Sequence, residues 1–271
     1  MRYSGRVTNE PTRSPAGKAR DRIRAGEWTE TTASLAPGFV QANLVVLPEA
    51  LSTEFETYCR VNPRALPLLE VTEPGSPVPT RLAPSADLRT DLPRYRVYRN
   101  GTMIEEPTDI VTLWHADFVA FLIGCSFTFD SVLEANGVAV RHQERGRNVP
   151  MYVTTEMTEP SGAFSGPLVV SMRPIRREDV DRTIELTRSM PWSHGEPIQI
   201  GSSRRLGIDD LGWPDYGDPV TVEDGEIPVF WPCGVTAQAA AAHSKTPLMI
   251  SHAPGHMFIT DLRAGAASNA S

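Results

Sequence analysis

Proline recurs along this chain at intervals that forbid long regular elements. The 24 prolines run from Pro11 to Pro254, and the widest proline-free stretch is residues 108–149. Proline lacks the backbone N–H and breaks the interior of a helix, so the chain must fold as many short elements joined by defined turns. The 20 glycines are scattered in the same way and without period. A long-helix bundle and a collagen-like repeat are thereby excluded.

Within that constraint the elements can be read off. Residues 15–25 read as a helix opening at a proline, after a polar arm over residues 1–14. "NLVVLPEALSTEFETYC" reads as a strand, Asn43–Leu47, running into a helix from Pro48 to Cys59. A strand at Leu68–Val71 precedes a proline-rich loop reaching Leu92, expected on the surface or across a domain edge. Asn100-Gly101 marks a hairpin inside "RYRVYRNGTMIEE". The apolar run Asp117–Ile123 reads as a helix. A second helix, Ser131–Asn136, has Ser131 and Glu134 in capping-box relation and Gly137 as its stop. Strands follow at Met151–Thr155, Pro167–Met172 and Pro197–Ile200, with a helix over Arg177–Ser189. The chain closes with an Asp224-Gly225 turn, a strand to Trp231, a helix from Val235, and strands at Leu248–Ile250 and Met257–Ile259.

This order predicts an α/β fold. A layered α/β main domain, residues 1–137 and 202–271, would carry an inserted two-layer α+β domain over residues 138–201. The 271 residues suffice to bury a substantial core.

The net charge of −7 argues against nucleic acid as a partner, and no apolar stretch approaches the length of a membrane span. The odd set Cys59, Cys125 and Cys233, with no apolar core behind the basic N-terminal residues, reads as reduced thiols in a cytoplasmic protein. There is no GxxxxGK[ST], no GxGxxG after a strand and no G-x-S-x-G, so neither a nucleotide cofactor nor an α/β-hydrolase elbow is implied.

Four stretches could carry chemistry. In "HAPGH", His252 and His256 flank Pro254-Gly255 between two strands, which points to an acid/base loop. Pro-Gly prevents the helical His-x3-His geometry that suits a metal, so no metal site is assigned; a packed turn is the plainer alternative. Gly124-Cys125-Ser126 precedes a helix start, where a thiol can act as nucleophile and backbone N–H groups can hold an anion. Cys233-Gly234 with Thr236 repeats that pattern, although a cysteine at either turn could simply pack. "VRHQERGRNVPMY" gathers Arg141, His142, Asn148 and Tyr152; such a basic cluster suits a carboxylate, and a solvated hairpin is the alternative.

"LAPGFVQANLVVLP", "DLPRYRVYRNG", "FLIGCSFTFD", "RHQERGRNVPMY", "SGPLVVSMRP", "FWPCGVTAQ" and "HAPGHMFITDL" together resemble, in order, the blocks of the D-glutamate cyclase family, whose members also carry the label hydro-lyase. Ser34 stands where the family has Gly, Asp130 where Glu is usual and Ala237 where Pro is usual, and Leu66 replaces a cysteine. The resemblance implies a small-molecule carboxylate substrate and loss of water, most concretely closure of D-glutamate to 5-oxo-D-proline. On residue chemistry, Arg141 and the Gly124–Ser126 turn would hold carboxylates, with His252 and His256 as acid and base and Asn148 and Tyr152 orienting. A carboxylate-binding protein without turnover and a metal-dependent hydrolase remain alternatives, and a homodimer is compatible with the sequence.

Overall fold

The computed structural model describes residues 14–265. All but one residue of the expected N-terminal arm lie outside the described residues. The elements run α1 (Pro15–Arg24), β1 (Phe39–Pro48), α2 (Glu49–Val61), β2 (Leu68–Val71), β3 (Tyr95–Arg99), β4 (Thr102–Glu105) and β5 (Phe118–Gly124). They continue with α3 (Phe127–Ala135), α4 (Arg141–Glu144), β6 (Met151–Met157), β7 (Pro167–Arg176), α5 (Val180–Arg188) and β8 (Gln199–Ile200). The last are β9 (Glu226–Pro232), α6 (Thr236–His243), β10 (Leu248–His252) and β11 (Phe258–Arg263). The mixed α/β fold that the sequence implies is present, with helices packed on two sheets.

The larger sheet has the order β2-β5-β1-β10-β3-β4, and β11 also pairs with β1. Strand β1 is its axis. It runs along β5 on one side; on the other it meets β11 through residues 39–42 and then β10 through residues 45–46. Every strand pair is antiparallel. The smaller sheet has the order β6-β7-β9-β8. It takes β9 from Glu226–Pro232 and so reaches outside the 138–201 range.

One face of the larger sheet packs against α2 and α6, with Phe55 in edge contact with both Phe121 and Phe164. The proline-rich segment covers the other face. Instead of lying on the surface, it buries Leu82, Ala83, Leu88 and Leu92 against β1, β3 and β5. The buried Glu70 carboxylate anchors it by accepting from the Arg81 and Leu82 backbone N–H groups.

The apolar run after Asp117 is β5, not a helix. All seven of its residues are buried, and a strand covered on both faces loses the period-two alternation that identifies strands. Helix α3 begins at Phe127, so Ser131 is interior to it, and its hydroxyl donates to the Thr128 carbonyl rather than capping an end. The Asn100-Gly101 hairpin forms as expected, with φ of 48° and 76° at the two turn residues.

Candidate functional site

Two strand-to-helix turns meet where the sheets join. At the first, β5 ends on Gly124, where an added Cβ would lie 1.7 Å from the Trp192 carbonyl oxygen, so any side chain is excluded. At the second, a Cβ on Gly234 would strike the Asn43 amide at 2.2 Å. Asn43 lies between them and donates through Nδ2 to the Gly124 and Ile123 carbonyls at 2.6 and 3.2 Å. Cys125 and Cys233 share one buried cluster with Phe127, Val149, Met151 and Met257. The two turns, far apart in sequence, are therefore neighbours.

The His loop joins the same cluster. Its Pro254 carbonyl accepts from Asn148 Nδ2 at 3.0 Å, and its Gly255 carbonyl accepts from the Thr32 backbone N–H at 2.9 Å. Gly255 has φ 87°, and the Asn148 amide fills the space a Cβ would need. His256 is half-buried and its Nδ1–H donates to the Pro254 carbonyl at 3.1 Å, which leaves Nε2 as the acceptor of the neutral ring. Burial holds its pKa below the ordinary histidine value.

His252 does different work. β1 changes partner from β11 to β10 around Leu44, and no strand serves that residue's backbone on this edge. The imidazole fills the gap: its Nδ1 lies 3.2 Å from both the backbone nitrogen and the carbonyl oxygen of Leu44. His252 is 1% exposed, and burial lowers its pKa to about 4. It is a neutral wedge in the sheet, and its expected acid/base role is withdrawn.

Several other expected site residues are also committed elsewhere. Arg141 pairs with Glu223 and Glu226, so it is no free clamp for a carboxylate. The Tyr152 hydroxyl donates to the Leu211 carbonyl at 2.8 Å, and its ring packs with Val170, Met172 and Phe230 on the far face of the smaller sheet. Thr236 accepts from the Val169 N–H at 3.0 Å and donates to the Cys233 carbonyl, stapling α6 to β7. Burial pushes the Cys125 thiol well above the ordinary thiol range, so it presents no thiolate nucleophile at neutral pH.

Ser126 and His142 belong to a buried network beneath the first turn. Arg173, fully buried, donates to both Asp130 oxygens at 2.7 and 2.8 Å, to Ser171 Oγ at 2.7 Å and to Ser126 Oγ at 2.9 Å. His142 Nε2 lies 3.5 Å from Asp130, and its ring stacks on Phe127. Burial opposes the Asp130 charge, yet Arg173 and His142 together hold its carboxyl below the usual range.

Sequence reasoning missed a polar patch on the face of the larger sheet that packs against α2 and α6. Ser251 pairs with Arg96 across β10 and β3, and both side chains share the face that carries Asn43 and Tyr98. The Tyr98 hydroxyl donates to Gln238 Oε1 at 2.9 Å, and Gln238 Nε2 donates to the His252 carbonyl at 2.9 Å. Arg96 is 24% exposed and donates to Glu106 at 2.8 Å. Tyr216 lies within electrostatic reach of Tyr98, Arg96 and Cys233, and burial raises its pKa to about 12. The alternation of "RYRVYR" identified a strand but not what faces it. Among the described residues, no three His, Cys, Asp or Glu side chains are grouped to hold a metal ion, and no helix is long and apolar enough to cross a membrane.

Comparison with known proteins places these features in context. A family model described as D-glutamate cyclase matches residues 119–261. A relative from Rubrobacter xylanophilus, named "Putative hydro-lyase", is 57% identical over 92% of this chain and 96% of its own length. One of the same description from Geobacillus kaustophilus is 56% identical over 91% and 94%. Among solved structures, a nitrogen repressor-like protein from Methanococcus jannaschii covers 90% of this chain and 97% of its own at 10% identity, but a TM-score of 0.39 carries no argument.

Proposed function

The chain belongs to the D-glutamate cyclase family, and from that premise we propose that it is a carbon–oxygen lyase removing water from a small amino or hydroxy carboxylate. The most concrete reaction is closure of D-glutamate to 5-oxo-D-proline. The observation that carries this reading is the family match over residues 119–261, which spans both Cys-bearing turns and the His loop.

Ring closure needs the ammonium nitrogen to give up two protons, one before it attacks the side-chain carboxyl carbon and one after, and one carboxylate oxygen to take up two protons and leave as water. Holding the substrate curled would supply about 7–11 kcal/mol of the barrier. Arg96 suits the α-carboxylate, exchanging Glu106 for substrate. His256 suits the base, because its Nε2 is the free acceptor of the neutral ring. Tyr216, held protonated by burial, suits donation to the leaving oxygen, while Tyr98 donates to Gln238 and holds that wall of the site. Asn148 then positions the loop that carries His256.

Proton NMR of the protein with D-glutamate, L-glutamate or 5-oxo-D-proline in separate tubes tests this reading. The D pair should interconvert, His256→Ala should abolish the conversion, and Arg96→Ala should raise KM more than it lowers kcat. Silence in all three tubes with folded protein would remove glutamate as the substrate.

A further inference from the structure

The loop between α1 and β1 borders a cavity of about 160 Å³, lined by Gln41, Phe127, Ser131 and Gln143, with Ser34 and Glu134 at its exposed rim. Apart from the Gln143 amide nitrogen, the side-chain groups it offers are acceptors. Gln41 is 3% exposed, and its Nε2 donates to the Thr32 and Leu35 carbonyls at 2.9 and 3.4 Å. Since both partners are acceptors, the amide orientation is fixed and Oε1 is the other end. That oxygen is buried with no hydrogen-bond partner among the described residues, whereas buried acceptors in native interiors are as a rule paired.

The remaining wall repeats the pattern. The Ser131 hydroxyl spends its proton on the Thr128 carbonyl at 2.9 Å, leaving lone pairs to offer. Gln143 Oε1 already accepts from Ser34 Oγ at 2.5 Å. Glu134 has no ion-pair partner among the described residues, and no Lys or Arg lines the cavity. Phe39, Phe127 and Pro37 supply apolar surface. A site rich in acceptors and poor in donors calls for a ligand that brings several N–H groups and a positive charge. A water takes a share of about 30 Å³, so the space suits a headgroup with a few carbons behind it.

We propose that this cavity binds a primary ammonium group on a short aliphatic amine, with Gln41 Oε1, Ser131 Oγ and the Glu134 carboxylate as its acceptors. The site is separate from the Arg96 and His256 groups and stands whether or not D-glutamate is turned over.

The test is a titration of ¹⁵N-labelled protein with ethylammonium chloride, tetramethylammonium chloride or potassium chloride at constant ionic strength. Ethylammonium should move the Gln41 side-chain amide and the Gly38 and Phe127 backbone amides saturably, whereas tetramethylammonium, which has no N–H, should not. Glu134→Gln should weaken ethylammonium about tenfold with an unchanged melting temperature, and Ser131→Ala should weaken it less. An equal response to tetramethylammonium or potassium, an absence of saturation, or unaltered binding in both variants would overturn the assignment.

Discussion

Arg173→Met removes the cation from a carboxylate that has no exposed surface. In the native protein the Arg173 guanidinium makes two bonds to Asp130 and two to serine hydroxyls, and it lies 4.8 Å from the Phe129 ring centroid. The variant leaves Asp130 buried with only His142 nearby, at 3.5 Å. Stranding one member of a buried pair costs about 3–5 kcal/mol, a large share of the roughly 5–15 kcal/mol by which proteins are folded. At about 2–4 °C per kcal/mol for a chain of this size, the melting temperature should fall by roughly 6–20 °C. Urea and thermal unfolding at pH 7 would measure this for wild type, Arg173→Met, Asp130→Leu and the double variant. The double variant should recover most of the loss, since apolar replacement of both partners is often nearly neutral. The pH dependence has a definite sign. The native Asp130 carboxyl is held below its usual range, so its contribution is present above the unfolded value near ~4 and is lost as pH falls through the folded value. In Arg173→Met burial is opposed by His142 alone, the carboxyl rises, and the deficit should shrink on acidification. A loss under about 1 kcal/mol, or a double variant as unstable as Arg173→Met, would refute the argument.

Three further outcomes are expected. His252→Ala should lose about 1–3 kcal/mol in urea unfolding, because the Leu44 backbone loses the ring nitrogen that pairs with it in the core. Dithionitrobenzoate should find no fast thiol in the native protein and three after unfolding, since Cys59, Cys125 and Cys233 are free and buried. If His256 is the base, the acidic limb of the pH–rate profile should lie below the ordinary histidine value of about 6.5, because burial lowers its pKa.

How much was readable in the sequence depended on whether the deciding partner was local. The Asn100-Gly101 hairpin was legible because two residues determine its backbone. The two Cys-bearing turns and the His loop stood out by residue type alone; that Asn43 and Asn148 join them is visible only in the structure. The roles of individual side chains were not legible. Arg141 looked free because its acids lie more than 80 residues away, and Ser126 looked available because Arg173 arrives from another sheet. β5 was misread because burial on both faces erases the strand period. Ser34 stood out in sequence as a departure from Gly, and its φ of 64° supplies the reason a glycine suits that position.

The sharing of β1 between β10 and β11 has a consequence for the order in which the molecule can be made. The strand at residues 39–48 pairs on one edge only with residues 248–263, close to the end of the chain. During synthesis from the N-terminus that edge stays unpaired while some 200 residues are added, although all but one residue of β1 is destined for burial. Such an edge is a template for wrong pairing, and closing it late places this protein among slow folders of high contact order. The last two strands act as the latch on assembly of the larger sheet.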